Sequence, residues 1–326
     1  EIPVYLFAGG IVAGMMILSG LAMLRVARGD DPRTFFSLHT PLLAFVLINL
    51  GMGALFLDLA HKLYVWRVYT TFQPGSPMSW GSWVLLVVYG ALLASALVRL
   101  PQAWPWLGRR VPALQAVSAA ITGSPARMRT LAWANIVLGV ALGIYTGILL
   151  NTMVARPLWN TGLLGSLFLV SGLSAGAAAM HVASVFLPRR PAPEGMIGGA
   201  VSALVQELGP EPPARRTVDA LIRADLAFLV VELVLLGLVI VNLQTSSASH
   251  AAAAALVVSG PWAWAFWGVV VAAGILAPLA LQWAELGHRI PHTVLPALLV
   301  LVGGFALRWV MVNAGQASHL VHAAGL

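Results

Sequence analysis

The chain has 326 residues, of which 60% are hydrophobic and 9% charged, against about 25% charged in an ordinary soluble domain. Eighteen basic and 11 acidic side chains are too few to cover a water-facing surface of this size, which excludes a soluble globular protein. The net charge of +7 does not point to nucleic acid, because the basic residues fall in short connections between apolar runs, and zero cysteines exclude disulfides, thiolate metal sites and an iron–sulfur cluster held by this chain itself.

Eight apolar runs follow, each near the roughly 20 residues that cross a hydrocarbon layer about 30 Å thick. They predict spans at about 2–27, 40–60, 79–100, 131–153, 162–187, 221–243, 263–286 and 293–312. The first begins at once after Glu1; it is too long, too rich in glycine and too poor in basic residues for a cleavable signal peptide, and reads as a retained helix of a chain that is processed, trimmed or incompletely supplied. Prolines at or near helix starts (Pro3, Pro41, Pro261) and Pro74-Gly75 in a connection punctuate the pattern. The longest connections, 101–130 and 188–220, have room for short surface helices. The fold class is therefore all-α, a polytopic membrane protein.

With eight spans, both termini share a side. Only Lys62, Arg67, Arg156 and Arg308 of the 18 basic residues lie toward that side. The positive-inside rule puts the other 14 in the cytoplasm and both termini outside, on the periplasmic side of a bacterial inner membrane. The halves also resemble each other: Gly10-Ile-Val-Ala-Gly14 recurs as Gly172-Leu-Ser-Ala-Gly176, and Leu43-Ala-Phe45 as Leu226-Ala-Phe228. This predicts two parallel four-helix units, 1–153 and 154–326. Small residues at this spacing also let any two helix backbones approach, so the motif alone does not prove a repeat.

An ionisable group at mid-membrane costs about 2.5–3.5 kcal/mol and needs a reason. Glu232 is central in span six, and the repeat alignment sets it opposite Asn49 of span two. His181, Asp225, Gln282 and Glu285 lie toward the cytoplasmic ends of their spans, while Asp58 and Arg308, near outer ends, are within reach of pairing. The functional reading is a proton relay through Asn49, His181, Asp225, Glu232, Gln282, Glu285 and Arg308; the structural one is helix–helix glue and snorkelling charge. Of eight histidines only His181 is well inside a span, which argues against bis-histidine haem and against a metal site.

The outer connection after span two is rich in chemistry: Asp58-Leu-Ala-His61-Lys-Leu-Tyr-Val-Trp-Arg-Val-Tyr69, then Pro77-Met-Ser-Trp80-Gly-Ser-Trp83. An acid, an imidazole and aromatics at this depth suit a ring that exchanges protons, although Trp and Tyr also form the ordinary interfacial belt. Tyr145, about two turns inside span four, is a buried phenol in want of a partner.

Together the opening Ile2 to Gly14, the Asp58 helix end, Pro77 to Trp83, Tyr145-Thr-Gly147 and Leu307 to Gln316 resemble the NrfD/PsrC family, the membrane subunits of polysulfide-reductase-type complexes. The resemblance covers nearly the whole chain. It implies a haem-free, metal-free anchor that binds a quinone (menaquinone or ubiquinone) and exchanges electrons with a ferredoxin-like iron–sulfur subunit on the outer face, itself serving a molybdenum or tungsten bis-pterin catalytic subunit. It implies a quinone site at the outer ends of the first four helices, in the neighbourhood of Tyr5, Asp58, His61, Trp80 and Tyr145; there Asp58, with His61, is the expected catalytic group that exchanges the quinone's protons, and Tyr145 the expected hydrogen-bond donor to a carbonyl. Members often carry polar or aromatic residues ahead of the first span; here Glu1 stands in that place. The competing functions are a secondary transporter or ion-translocating subunit, whose sign is helices broken at matched midplane positions, and a purely structural anchor.

Overall fold

The computed structural model describes residues 2–29, 35–58, 61–64, 66–186, 213–288 and 291–320; Glu1, the side chain of Asp58 and most of the 188–220 connection lie outside the described residues. Eight long helices carry the fold: α1 Ile2–Val26, α2 Thr40–Asp58, α3 Pro77–Ala103, α4 Pro125–Asn151, α5 Leu164–Phe186, α6 Arg215–Ser246, α7 Ala265–Leu286 and α8 Leu295–Ala317. Each is long and apolar enough to cross a membrane, and the described residues contain no strand.

Most boundaries follow local chemistry. Proline occupies the first turn of α3, α4 and α8, where its missing N–H costs nothing. Pro77 and Pro125 start α3 and α4 earlier than their apolar runs suggest, and Pro101 sits in the last turn of α3, which ends two residues on. The 101–130 connection holds two short helices, Pro105–Arg110 and Pro112–Thr122. Four further described elements have no counterpart among the predicted spans: the short pieces Phe35–Leu38, Lys62–Tyr64 and Trp66–Thr70, and Ala248–Val258, 11 residues and too short to cross.

In the first four helices each packs on its sequence neighbour and α1 closes against α4; in the last four, α5 packs on α6 and α8, and α8 on α7. The two sets meet where α1 lies against α5 and α8, and α4 against α5. Glycine makes this junction possible. A Cβ on Gly14 would stand 2.1 Å from the carbonyl oxygen of Gly172 and 3.1 Å from Cα of Gly176, and one on Gly172 would stand 2.8 Å from the Gly10 carbonyl oxygen. The two Gly-x-x-x-Gly motifs that look like a repeat are thus each other's contact surface, in parallel register.

α7 departs from α geometry. Ala265–Leu276 winds as a π-helix before Ala277–Leu286 resumes the α form, and Gly274 of this segment abuts Gly303 of α8. No matching irregularity interrupts α3, its counterpart by order in the first half.

Candidate functional site

Two separate clusters emerge from the predicted residues. The larger is a polar column between α5, α6, α7 and α8. Its innermost member is Arg308, 1% exposed in the middle of α8. Its Nη1 donates to Ser171 Oγ at 2.7 Å and to the Gly304 carbonyl at 2.9 Å, and Nη2 donates to the Phe168 carbonyl at 3.3 Å. The guanidinium lies over the rings of Phe168 and Phe7 and against Gly10, where a Cβ would come within 2.8 Å of Nη2. Three charge-assisted hydrogen bonds of about 1.5–3 kcal/mol each offset the cost of carrying this cation at mid-membrane. Arg308 points into the α1–α5–α8 junction, where three acceptors hold it; the side chain of Asp58, its expected partner, lies outside the described residues.

Ser171 is the hinge of this arrangement, because its hydroxyl accepts from Arg308 and also hydrogen-bonds Glu232, which is 4% exposed and in the electrostatic field of Arg308. One turn toward the other end of α5, Ser174 Oγ donates to Asp225 Oδ1 at 2.6 Å, and Gln282 Nε2 donates to Asp225 Oδ2 at 2.6 Å. Next along α7 comes Glu285, fully buried, whose Oε1 accepts from the amide (2.9 Å) and hydroxyl (3.0 Å) of Thr293. Its Oε2 stands 3.6 Å from His292 Nδ1, and His292 Nε2 stands 3.5 Å from Asp219 Oδ1. His181, buried on α5, lies within the electrostatic reach of Glu285 and His292.

Six of the seven expected relay residues thus converge. Helical spacing is the reason: Ser171, Ser174 and His181 recur on one face of α5, Asp225 and Glu232 are seven apart on α6, and Gln282 and Glu285 three apart on α7. Asn49 is the exception. It is exposed on α2, donating to the Phe45 carbonyl at 2.6 Å and facing the Tyr89 hydroxyl at 3.4 Å. Sequence reading missed Ser171, Ser174, Asp219, His292 and Thr293. The two serines were legible in principle, as hydroxyls in register with His181; the others join only because the connection before α8 folds back over Glu285.

The smaller cluster lies where α1, α3 and α4 end together. The Tyr145 hydroxyl donates to the Pro77 carbonyl at 2.9 Å and accepts from the Gly81 amide, so the phenol inserts into the first turn of α3. A Cβ on Gly81 would fall 1.8 Å from the phenol oxygen, which explains the glycine within Pro77 to Trp83. Tyr5 of α1 lies near enough to act on Tyr145 electrostatically. The rest of the motif is self-braced: Ser79 Oγ accepts from the Gln73 amide at 3.0 Å, and Trp80 Nε1 donates to the Pro74 carbonyl at 2.8 Å. Trp80 is 51% exposed and edge-on to Phe72. His61 is exposed in the connection after α2, edge-on to Tyr64. The structure therefore unites Tyr5 and Tyr145 and leaves Trp80 and His61 toward the periphery; for Asp58 it gives the backbone position alone, at the end of α2.

Residues 1–319 match the family model described as "Polysulphide reductase, NrfD". A polysulfide reductase chain of Wolinella succinogenes is 29% identical, with 97% of this chain and 93% of that protein covered. Protein NrfD of Escherichia coli strain K12 is 28% identical over the same shares. A selenate reductase subunit of Mesobacillus selenatarsenatis is 26% identical over 94% of this chain and 71% of its own length.

Proposed function

This chain belongs to the NrfD family of multi-pass membrane proteins, and from that premise we propose that it is the membrane subunit of a respiratory reductase complex, exchanging electrons and protons between a membrane quinone and an iron–sulfur partner at its outer face. The names of two relatives, a polysulfide reductase chain and a selenate reductase subunit, support a partner of the molybdenum or tungsten bis-pterin kind. The observation that carries the reading is the Tyr145 phenol seated in the first turn of α3 beside Tyr5.

The residues present fit a quinone ring in part. Of the two neighbouring phenols, Tyr5 is the one that this reading aims at a quinone carbonyl, because the single hydroxyl hydrogen of Tyr145 is already given to the Pro77 carbonyl. The Trp80 indole N–H, already given to Pro74, does not contribute. A bound quinone supplies a carrier of two electrons and two protons. This chain's own residues hold and orient it: Tyr5 toward a carbonyl, Tyr145 as the wall fixed against the first turn of α3, and Asp58 at the α2 end with exposed His61 as the groups that pass protons to and from the outer side.

In this proposal the chain is two four-helix units, 1–153 and 154–326, joined at the paired Gly-x-x-x-Gly motifs, in a bacterial inner membrane with both termini periplasmic. The polar column of the second unit is a proton relay from the cytoplasm, entering by Asp219, His292 and Glu285 and passing Gln282 and Asp225 to Glu232. Its support is contact with the first unit: Arg308, joined to Glu232 through Ser171, lies against Gly10 and Phe7 on the helix that carries Tyr5. A transporter is the weaker reading, since the π-helical stretch of α7 has no matched break in α3.

The test uses the purified complex in proteoliposomes. Tyr145→Phe with Asp58→Asn is expected to depress quinone-dependent turnover while the complex stays assembled; undiminished turnover would leave only an anchor. Glu232→Gln is expected to preserve turnover and abolish the potential read by a voltage-sensitive dye; an unchanged potential would remove the relay.

A further inference from the structure

At the end of the bundle opposite the two phenols, the chain leaves α3 and doubles back. The helices Pro105–Arg110 and Pro112–Thr122 fold against α3, where Ser118 Oγ donates to the Val98 carbonyl at 2.7 Å. Between them is a cavity of about 340 Å³ whose polar lining is Gln102, Arg109, Gln115, Ser118 and Thr122. It shares no residue with the phenol pair or the polar column.

The chemistry of this lining is one-sided. No Asp or Glu occurs between Asp58 and Glu194, while Arg99, Arg109, Arg110, Arg127 and Arg129 fall in or beside this region. Buried Arg99 donates from Nη1 to Gln102 Oε1 at 2.7 Å and from Nη2 to Ser37 Oγ at 2.8 Å. The first bond occupies the amide oxygen of Gln102 and leaves its NH₂ group as the free end, a donor. Arg127 is committed to the Ala120 carbonyl. Arg109, at the C-terminus of its short helix, is exposed and has no partner among the described residues. A cation and an oriented amide donor with no carboxylate among the described lining form an anion site, while the hydroxyls of Ser118 and Thr122 are spent on the Val98 and Ser118 carbonyls. The same segment carries exposed apolar side chains, Val111 and Val117, 42% and 48% exposed. An anion beside exposed apolar surface at the end of a membrane bundle matches a phosphate that carries acyl chains.

We propose that this cavity binds a phosphate group, with Arg109 as its counter-ion and Gln102 and Gln115 as hydrogen-bond partners, and that its ligand is the head group of an anionic phospholipid. The site secures the α3–α4 end of the bundle and is independent of the quinone reading.

The full-length protein in nanodiscs tests it, with the thermal unfolding midpoint measured in phosphatidylcholine alone, in phosphatidylcholine with phosphatidylglycerol, and in phosphatidylcholine with inorganic phosphate. Phosphatidylglycerol is expected to raise the midpoint. Arg109→Gln is expected to cut that rise at least by half, Gln115→Leu to reduce it, and Arg129→Gln, exposed at the same end but outside the cavity, to retain it. An equal rise with inorganic phosphate, also lost in Arg109→Gln, would keep the phosphate site and overturn the lipid as its source. A rise that is absent, or the same size in the wild type, Arg109→Gln and Arg129→Gln, overturns the site.

Discussion

The sharpest test of the architecture is Gly14→Ala. The added methyl would stand 2.1 Å from the Gly172 carbonyl oxygen and 2.9 Å from its carbon, both main-chain atoms that no rotamer change can move. Ordinary contact begins near 3.4 Å, so α1 and α5 must separate by roughly 1.3 Å, the difference between 3.4 and 2.1, at their closest crossing. Overpacking of this kind costs about 1–3 kcal/mol, and the intrinsic preference of helices for alanine over glycine returns at most about 1 kcal/mol. Separation would also draw Gly10 away from Arg308 and loosen the seat of the buried cation. Gly53→Ala is the matched control, because nothing lies within 4 Å of its added Cβ. In detergent-solubilised protein, Gly14→Ala is expected to lower the unfolding midpoint by several degrees while Gly53→Ala leaves it unchanged or raises it. Equal midpoints for the two variants would refute the claim that paired glycines set the α1–α5 junction.

Four further outcomes follow from the same geometry. Gly81→Ala drives a methyl into the Tyr145 phenol and should weaken quinone inhibitor binding more than Tyr145→Phe, which loses the bonds to the Pro77 carbonyl and the Gly81 amide, about 1 kcal/mol each; a binding titration ranks them. Ser171→Ala removes the hydroxyl shared by Arg308 and Glu232 and should destabilise by about 1.5–3 kcal/mol, read as a lower denaturation midpoint, and depress charge separation in proteoliposomes. Asn49→Ala, outside the column, should leave charge separation intact in the same assay. His39, just before α2 and stacked on Phe35, has its pKa lowered by burial from 6.5 to about 4, against a smaller raising effect of the Phe35 backbone. Its neutral form is the one the fold accepts, so the contribution, about 3 kcal/mol, is fully present above pH 6.5 and disappears as pH falls toward 4. His39→Phe should flatten that part of a thermal-midpoint profile against pH, and an unaltered profile would count against it.

Much of the fold was legible because its causes are local. A span is a run of apolar residues long enough for the hydrocarbon layer, so all eight helices were countable, and the helices that start at or beside the prolines at 77, 125 and 296 begin two to six residues from the ends of their apolar runs. The buried acids Asp225, Glu232 and Glu285 announced themselves because charge inside an apolar run is costly and therefore informative. Which partners satisfy those charges depends on how helices rotate about their own axes, and long apolar helices reveal that rotation poorly. The acceptors of Arg308 could not be named from its place in a run; the glycine-lined junction sets it against Ser171. Asn49 aligned with Glu232 in sequence, yet α2 presents that face outward. Sequence by itself determined the membrane solvent, the number of spans and the chemical types buried in them. Tertiary structure alone decided that two similar glycine motifs are one interface, that Ser171 joins Arg308 to Glu232, and that Gly81 is the seat of Tyr145, because these contacts join residues far apart in sequence whose approach is fixed by close packing between helices and leaves no periodic mark along the chain.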